Sequence, residues 1–317
     1  MNIPKLVVLN HLTPERLERL QRVRPDATVE AYAKMSEALP HLKDADAVAL
    51  WGSMDPLPVL EAAPKLRWLH SMSAGIEKLL PPPMQQNDIV LTHTAAIHDA
   101  PVAERALALL LALRHKLKHA VTAQAGKNWD PQSFTSLENT KVLIAGFGGI
   151  GKEIAKRCAA FGAEIIAVKN HLTEEALVDR VITNDELIRV LPEADVVMCA
   201  LPGTPETEGY FGAKEIAAMK KGVYFINIAR GTIVDEAALI EALQSGHVAG
   251  AGLDVTAREP LPEDSPLWTL DNVILTPHTA ARVYGYMDKV LDLLADNWQR
   301  FLSDQKLKNV IDKKRGY

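Results

Sequence analysis

Short apolar runs alternate with amphipathic stretches through about residue 98. Leu6–Asn10, Ala47–Leu50, Leu66–His70 and Ile89–Thr92 read as strands. Between the first two, Thr13 and Pro14 predict a helix over Pro14–Arg22, with threonine as N-cap and proline in its first turn. Near-continuous apolar strands separated by helices predict a mostly parallel sheet covered on both faces. Pro81-Pro82-Pro83 reads as a stiff surface connector. From Pro101 to about Lys118 the pattern becomes one long helix, with Ala and Leu along most of its length. So wide an apolar stripe predicts burial against something besides its own domain, a second subunit among the candidates.

A loop around Asp130-Pro131 and Ser136–Thr140 leads to a second α/β series that begins at Lys141. Its strands are Val142–Ala145, Ile165–Val168, Val196–Ala200, Val223–Asn227, Ala249–Leu253 and Val273–Leu275. A final helix, about Tyr284 to Ser303, is apolar at Val290, Leu293, Leu294, Trp298 and Phe301. No strand remains for it to accompany, so it is expected to pack back on the first domain. The expected division is therefore residues 1–98 completed by 283–317, with 99–282 inserted between them.

A chain of 317 residues predicts two domains of ordinary size. With 48% hydrophobic and 24% charged residues, it has the composition of a soluble globular protein. A formal charge of −5 argues against nucleic acid or an anionic membrane as partner. Leu6-Val7-Val8-Leu9 reads as a first strand rather than a signal peptide. Ala106–Leu113, flanked by Glu104, Arg105, Arg114 and Lys116, is too short to span a bilayer. Cys158 and Cys199 lack CxxC spacing and read as buried, reduced thiols of a cytoplasmic protein. His70, His93 and His98 form no metal pattern, and no metal is expected.

Candidate chemistry begins at Val142-Leu-Ile-Ala-Gly146-Phe-Gly148-Gly149-Ile150-Gly151, a strand running into G-x-G-x-x-G and then a helix. Gly146 permits the tight turn, Gly148 lets the backbone approach a pyrophosphate, and Gly151 lets helix and strand pack closely. The helix N-terminus near Gly149 and Ile150 presents free N–H groups and a positive dipole end to phosphates. In this context the fingerprint predicts a dinucleotide site. The next strand should end on an acid that binds the adenosine ribose hydroxyls of NAD. It ends instead in Lys169-Asn170-His171, which repels a 2′-phosphate less and attracts it more, so NADP is favoured over NAD.

Three later phrases complete the set: Asn227-Ile228-Ala229-Arg230-Gly231, Gly252-Leu-Asp254-Val with Glu259-Pro260, and Thr276-Pro277-His278. Each follows an apolar, strand-like run, where an α/β sheet exposes its ligand-binding edge. Reducing a 2-keto acid needs a cation for carboxylate and carbonyl, a proton donor for the developing alkoxide, and a carboxylate to keep that donor charged. Arg230, His278 and Glu259 supply these in that order.

The ordered motifs G-x-G-x-I-G, N-x-A-R-G, G-x-D-V, E-P-L-P and T-P-H resemble the D-isomer-specific 2-hydroxyacid dehydrogenases, a family that includes glyoxylate/hydroxypyruvate reductases. Pro101-Val-Ala-Glu104 and Leu201-Pro-Gly-Thr-Pro-Glu-Thr207 fit the same pattern. The resemblance implies a flavodoxin-like substrate domain built from both chain ends, an inserted Rossmann nucleotide-binding domain, and a homodimer. It implies that Arg230 binds the substrate's carboxylate and carbonyl, that His278 protonates the carbonyl oxygen, and that Glu259 stabilises the imidazolium. Asp254 would meet the nicotinamide carboxamide, Gly149 and Ile150 the pyrophosphate, and Leu201, Ile228 and Ala229 the cofactor cleft. His278-Thr-Ala-Ala281 stands in place of the glycines common after the histidine, which would alter the floor beneath the nicotinamide, with Ala281 among the cofactor-binding positions. Ala74 and Gly75, in Ser71-Met-Ser-Ala74-Gly75-Ile-Glu77, would grip the substrate carboxylate through backbone N–H groups. Trp51 faces either the substrate or the core. The family also contains corepressors that keep the triad, so a nucleotide-sensing binding protein is the alternative reading.

Overall fold

Residues 3–316 are described by a computed structural model in which β1 (Lys5–Val8), β2 (Thr28–Ala31), β3 (Ala47–Leu50), β4 (Trp68–Ser71) and β5 (Val90–His93) form one sheet. All pairings are parallel, in the order β2-β1-β3-β4-β5. β1, β3 and β4 are buried along their whole length, which is why they are so readily seen as apolar runs. β2 was not expected. Its sequence, Thr-Val-Glu-Ala, is short and mostly half-buried, as suits a strand at the sheet edge.

The chain divides into two units, Met1–Ile97 with Tyr284–Tyr317, and His98–Val283. In the first, the late helix Tyr286–Leu302 covers the sheet holding β1 and β4, burying Val290, Leu291, Leu294 and Trp298 against Leu6, Val8 and Trp68. Each fully buried leucine there contributes roughly 1.5–3 kcal/mol. Trp298 stacks on Trp68 at 6.4 Å between ring centroids. Arg16 in the Pro14–Gln21 helix pairs with Asp288 at 3.0 Å, and the Ile311 N–H donates to the Leu91 carbonyl at 2.9 Å. Both chain ends therefore build this unit. The helix starts at Tyr286, after Gly285 takes a left-handed conformation (φ 73°). The proline run also differs from expectation: Pro82 and Pro83 open a short helix, Pro82–Gln85, whose Met84 is buried. Proline at the first helical positions sacrifices no intrahelical hydrogen bond.

The second unit carries seven parallel strands, one more than expected: β6 (Lys141–Ala145), β7 (Glu164–Val168), β8 (Arg180–Ile182), β9 (Val196–Cys199), β10 (Val223–Asn227), β11 (Val248–Leu253) and β12 (Val273–Leu275). Their order is β12-β11-β10-β9-β6-β7-β8. The direction of winding reverses between β6 and β9, and a crevice opens at the carboxyl ends of the strands at such a point. β8 is a three-residue edge strand containing Arg180, too brief to register as a period.

The expected long helix is two helices. Asp99–Arg114 buries Val102, Ala103, Ala106, Leu109, Leu110 and Leu113, and Leu117–Ala125 buries none of its residues. Lys116, in the left-handed region (φ 53°), breaks them apart. The wide stripe of the first is taken up by its own unit: a Cβ on Gly252 of β11 would lie 2.7 Å from the Leu109 Cβ. Arg114, nearly buried, donates from Nε to the Thr135 carbonyl at 3.2 Å and from Nη2 to Thr140 Oγ1 at 3.0 Å, tying down the loop before β6.

Candidate active site

Parallel strands bring all their carboxyl ends to one edge, and most of the candidate residues in the second unit lie there. Gly146 follows β6 in a left-handed conformation (φ 92°), where a Cβ would stand 2.6 Å from the Ala200 backbone. The turn can therefore pass β9 only as glycine. Gly148 is exposed, and its Cβ direction meets nothing within 4 Å. Gly151 is packed against the Gly146 carbonyl, so a side chain there would push the helix off the strand. The helix Gly149–Ala160 begins within this turn, with Gly149 and Ile150 in its first positions. The Asp99 side chain fills the space that a Cβ on Gly149 would need.

Beyond β10, buried Asn227 braces the arginine turn. Its Oδ1 accepts from the Ala229 N–H at 3.0 Å, and its Nδ2 donates to the Arg230 carbonyl at 2.9 Å. Arg230 is half-buried, and its Nη1 donates to the Ala229 carbonyl at 2.8 Å. Gly231 comes next because the Thr256 carbonyl occupies the place of any Cβ. The arginine turn and the loop after β11 thus pack backbone to backbone. Ile228 and Ala229 are buried, and Leu201 after β9 is half-buried.

The loop after β11 carries Glu259. Its Oε1 accepts from the Thr256 N–H at 3.3 Å, and its Oε2 lies 2.7 Å from His278 Nδ1. His278 adopts a positive φ of 50°, with its N–H donating to the carbonyls of Asp254 at 2.8 Å and Thr276 at 2.9 Å. The ring is about half exposed, so the pair faces solvent rather than the core. Asp254, only 2% exposed, holds this turn: its carboxylate accepts from Thr276 Oγ1, from the Thr279 N–H at 3.1 Å and from the Ala280 N–H at 2.9 Å. Asp254 and Asn227 are therefore the fixtures behind His278 and Arg230. Sequence reasoning noted both inside motifs but missed this bracing; polar residues closing apolar strands were the available signal.

Residues 107–280 match the family model described as D-isomer specific 2-hydroxyacid dehydrogenase, NAD binding domain. A glyoxylate reductase from Thermofilum pendens is 34% identical over 271 residues, covering 82% of this chain and 79% of its own length. The chain belongs to the D-isomer specific 2-hydroxyacid dehydrogenase family. Its similarity to the D-3-phosphoglycerate dehydrogenase of Methanocaldococcus jannaschii is 30% identity over 97% of this chain, which spans 59% of that relative's length. Among solved structures, an NADPH-dependent glyoxylate/hydroxypyruvate reductase from Sinorhizobium meliloti in complex with NADP and sulfate superposes with a TM-score of 0.86. The two share 27% identity, covering 99% of this chain and 100% of that one.

The end of β7 is occupied as the sequence did not foretell. The Lys169 ammonium is bound by Glu175 and by Thr173 Oγ1 at 2.6 Å, and Glu175 also pairs with Lys152 at 3.0 Å. Hydrogen bonds from Lys169 and then Lys152 hold the Glu175 carboxyl down at about 2. Asn170 is exposed and turned elsewhere, accepting from Asn184 Nδ2 at 3.3 Å. Ala281 is half-buried after the Asp254-held turn.

In the first unit, the loop after β4 is fixed through its carbonyls. Ser73 Oγ donates to the Gly75 carbonyl at 3.2 Å and accepts from the Gly52 N–H at 2.9 Å, and His93 Nδ1 lies 2.8 Å from the Ala74 carbonyl. Ala74 and Gly75 are themselves half-buried. Trp51 is half-buried, stacked beside Tyr286 and 3.5 Å from Asn10 Oδ1 through its indole nitrogen. Among the described residues no group of three or more His, Cys, Asp or Glu is arranged to hold a metal, and no helix is long and apolar enough to cross a membrane.

Proposed function

We propose that this chain reduces a small 2-keto acid to the corresponding D-2-hydroxy acid, with NADPH favoured over NADH. The observation that carries the reading is the 2.7 Å pairing of Glu259 Oε2 with His278 Nδ1, two strand ends away from the braced turn of Arg230. Arg230 holds the substrate's carboxylate and carbonyl oxygen, for which the planar, permanently charged guanidinium is suited. His278 has Nδ1 committed to Glu259, which leaves the Nε2 proton for the carbonyl oxygen as negative charge grows on it. Glu259 keeps the ring oriented and its imidazolium form stabilised. The N–H groups of Ala74 and Gly75 are proposed as further donors to the substrate carboxylate.

The glycine turn fits a dinucleotide: Gly148 is open where a pyrophosphate would approach, and the following helix offers its N-terminus. Reduced nicotinamide, when bound, supplies the hydride to the carbonyl carbon. Asp254 acts behind His278, and its remaining acceptor capacity suits the nicotinamide carboxamide. NADPH use is supported by Lys169 in place of an acid at the end of β7, and by the Sinorhizobium reductase, which is described as NADPH-dependent.

A homodimer is also proposed. Leu117, Val121, Trp129 and Phe134 are 50%, 66%, 97% and 59% exposed on one continuous segment, an apolar surface of the kind that subunit interfaces cover. The deciding experiment is a spectrophotometric screen of glyoxylate, hydroxypyruvate, pyruvate and bulkier 2-keto acids with both reduced cofactors. Oxidation of cofactor by none of them would end the reading.

A further inference from the structure

Lys152 lies in the first turn of the helix that opens at the glycine fingerprint, and Lys169 closes β7, the neighbouring strand of the dinucleotide crevice. Two ammonium groups at that place are a natural seat for a doubly charged phosphate. The seat is filled from within: Glu175, in the segment after β7, bonds both lysines at once with its two carboxylate oxygens. Oε1 goes to Lys169 and Oε2 to Lys152, and Thr173 Oγ1 accepts from the same Lys169 ammonium at 2.6 Å. The Phe147 ring, from within the fingerprint itself, lies 6.0 Å from the Lys169 nitrogen. Glu175 is the less exposed partner, its side chain 13% accessible against 20% for Lys169 and 55% for Lys152.

We propose that Lys152 and Lys169 form a seat for the 2′-phosphate of NADP and that Glu175 is its built-in occupant, so that Glu175 sets the balance between phosphorylated and unphosphorylated cofactor. The inference rests on the dinucleotide reading of the glycine turn given above. A phosphate monoester carries a charge of about −2 near neutral pH, which matches the two lysines once Glu175 has left. With Glu175 in place, the same phosphate would meet a carboxylate at contact distance, so binding it requires the carboxylate to swing out. An unphosphorylated ribose makes no such demand and leaves the three-residue cluster intact. The carboxylate stays ionised at any working pH, because its two lysines hold it down at about 2, so protonation offers no release. Lys169 alone therefore understates the device: the lysines attract the phosphate, and Glu175 opposes it.

The test is calorimetric binding of adenosine 2′,5′-bisphosphate and of ADP to the whole protein, in the wild type, Glu175→Gln, Glu175→Ala and Glu175→Gln with Lys152→Ala. The expected result is that both single variants bind the bisphosphate about three- to tenfold more tightly, a gain that shrinks at high salt. ADP affinity should change by less than about twofold, and loss of Lys152 should remove most of the gain. Unchanged bisphosphate affinity in both single variants would overturn the inference, as would equal tightening of the two nucleotides. If ADP binds throughout and only the response to Glu175 is missing, the dinucleotide reading stands and this inference alone falls. Binding of neither nucleotide by the wild type would overturn both.

Discussion

Glu259 and His278 meet across nineteen residues of chain, with Oε2 2.7 Å from Nδ1, and each is held from behind by a backbone contact. The Thr256 N–H fixes the other carboxylate oxygen, and the Asp254 carbonyl fixes the histidine's backbone. They are presented beyond the carboxyl ends of adjacent strands, Glu259 on the loop after β11 and His278 just past β12.

If that presentation serves proton transfer, His278→Gln should lower kcat by about 10²–10⁴-fold. Glu259→Gln keeps a hydrogen bond but loses the charge, and should cost a smaller factor, on the order of tenfold to a hundredfold. NADPH binding, followed by fluorescence titration, should be nearly unchanged in both. Near-wild-type turnover of the His278 variant on the best substrate would remove it from the mechanism.

Arg230→Lys keeps a positive charge but loses the planar fork, and is expected to reduce kcat/KM by about a hundredfold or more, largely through KM. Gly231→Ala should mimic it in part without touching the charge, because a Cβ there collides with the Thr256 carbonyl and shifts the turn. Steady-state constants together with thermal unfolding separate the two effects. A Gly231→Ala variant with unchanged stability and kinetics would show that the close approach is dispensable.

Lys169→Asp should weaken NADPH by about tenfold or more, since it places a second carboxylate beside Glu175. NADH should suffer less. The readout is kcat/KM for both cofactors in the wild type and the variant, and a preference that ignores the substitution would make Lys169 a mere strand end.

His70 predicts a pH-dependent stability. It is fully buried in β4, with Nδ1 2.7 Å from Thr92 Oγ1 and Nε2 3.3 Å from Thr94 Oγ1, and burial, assisted by nearby His93, pushes it from 6.5 down to about 3. The unfolded chain protonates this group below 6.5, while the folded protein keeps it neutral down to about 3. Its contribution is complete above the unfolded value and is lost as pH falls between the two, amounting to about 2 kcal/mol by roughly pH 5. Urea unfolding at several pH values should show this slope, and His70→Gln should flatten it. An identical slope in the variant would assign the effect to other groups.

The exposed apolar segment gives a fifth expectation. Trp129→Glu combined with Val121→Glu should shift a dimer toward monomer in sedimentation velocity, because charge replaces surface that an interface must desolvate. A wild type that sediments as a monomer at micromolar concentration would dispose of the dimer.

Much of this was legible from sequence because buried parallel strands are written in apolar residues, as Val142–Ala145 and Val223–Asn227 are. The final helix was legible too, since Val290, Leu294 and Trp298 mark one face. β2 and β8 escaped because edge strands need little apolar surface, and Glu30 and Arg180 interrupt what pattern there is. The break at Lys116 escaped because Leu117 carries the helical composition onward past it. Glu175 escaped for a different reason: its meaning depends on the segment after β7 folding back onto Lys169 and onto Lys152 in the preceding helix, which no local period records.

The helix Tyr286–Leu302 has a further consequence, for the order in which the protein can be made. Leu6, Val8 and Trp68 leave the ribosome more than two hundred residues before Val290 to Trp298, which cover them. All seven strands of the inserted unit are out before that helix appears. The first unit can therefore close only after the inserted one has been made, and until then its apolar sheet face lacks the helix that covers it.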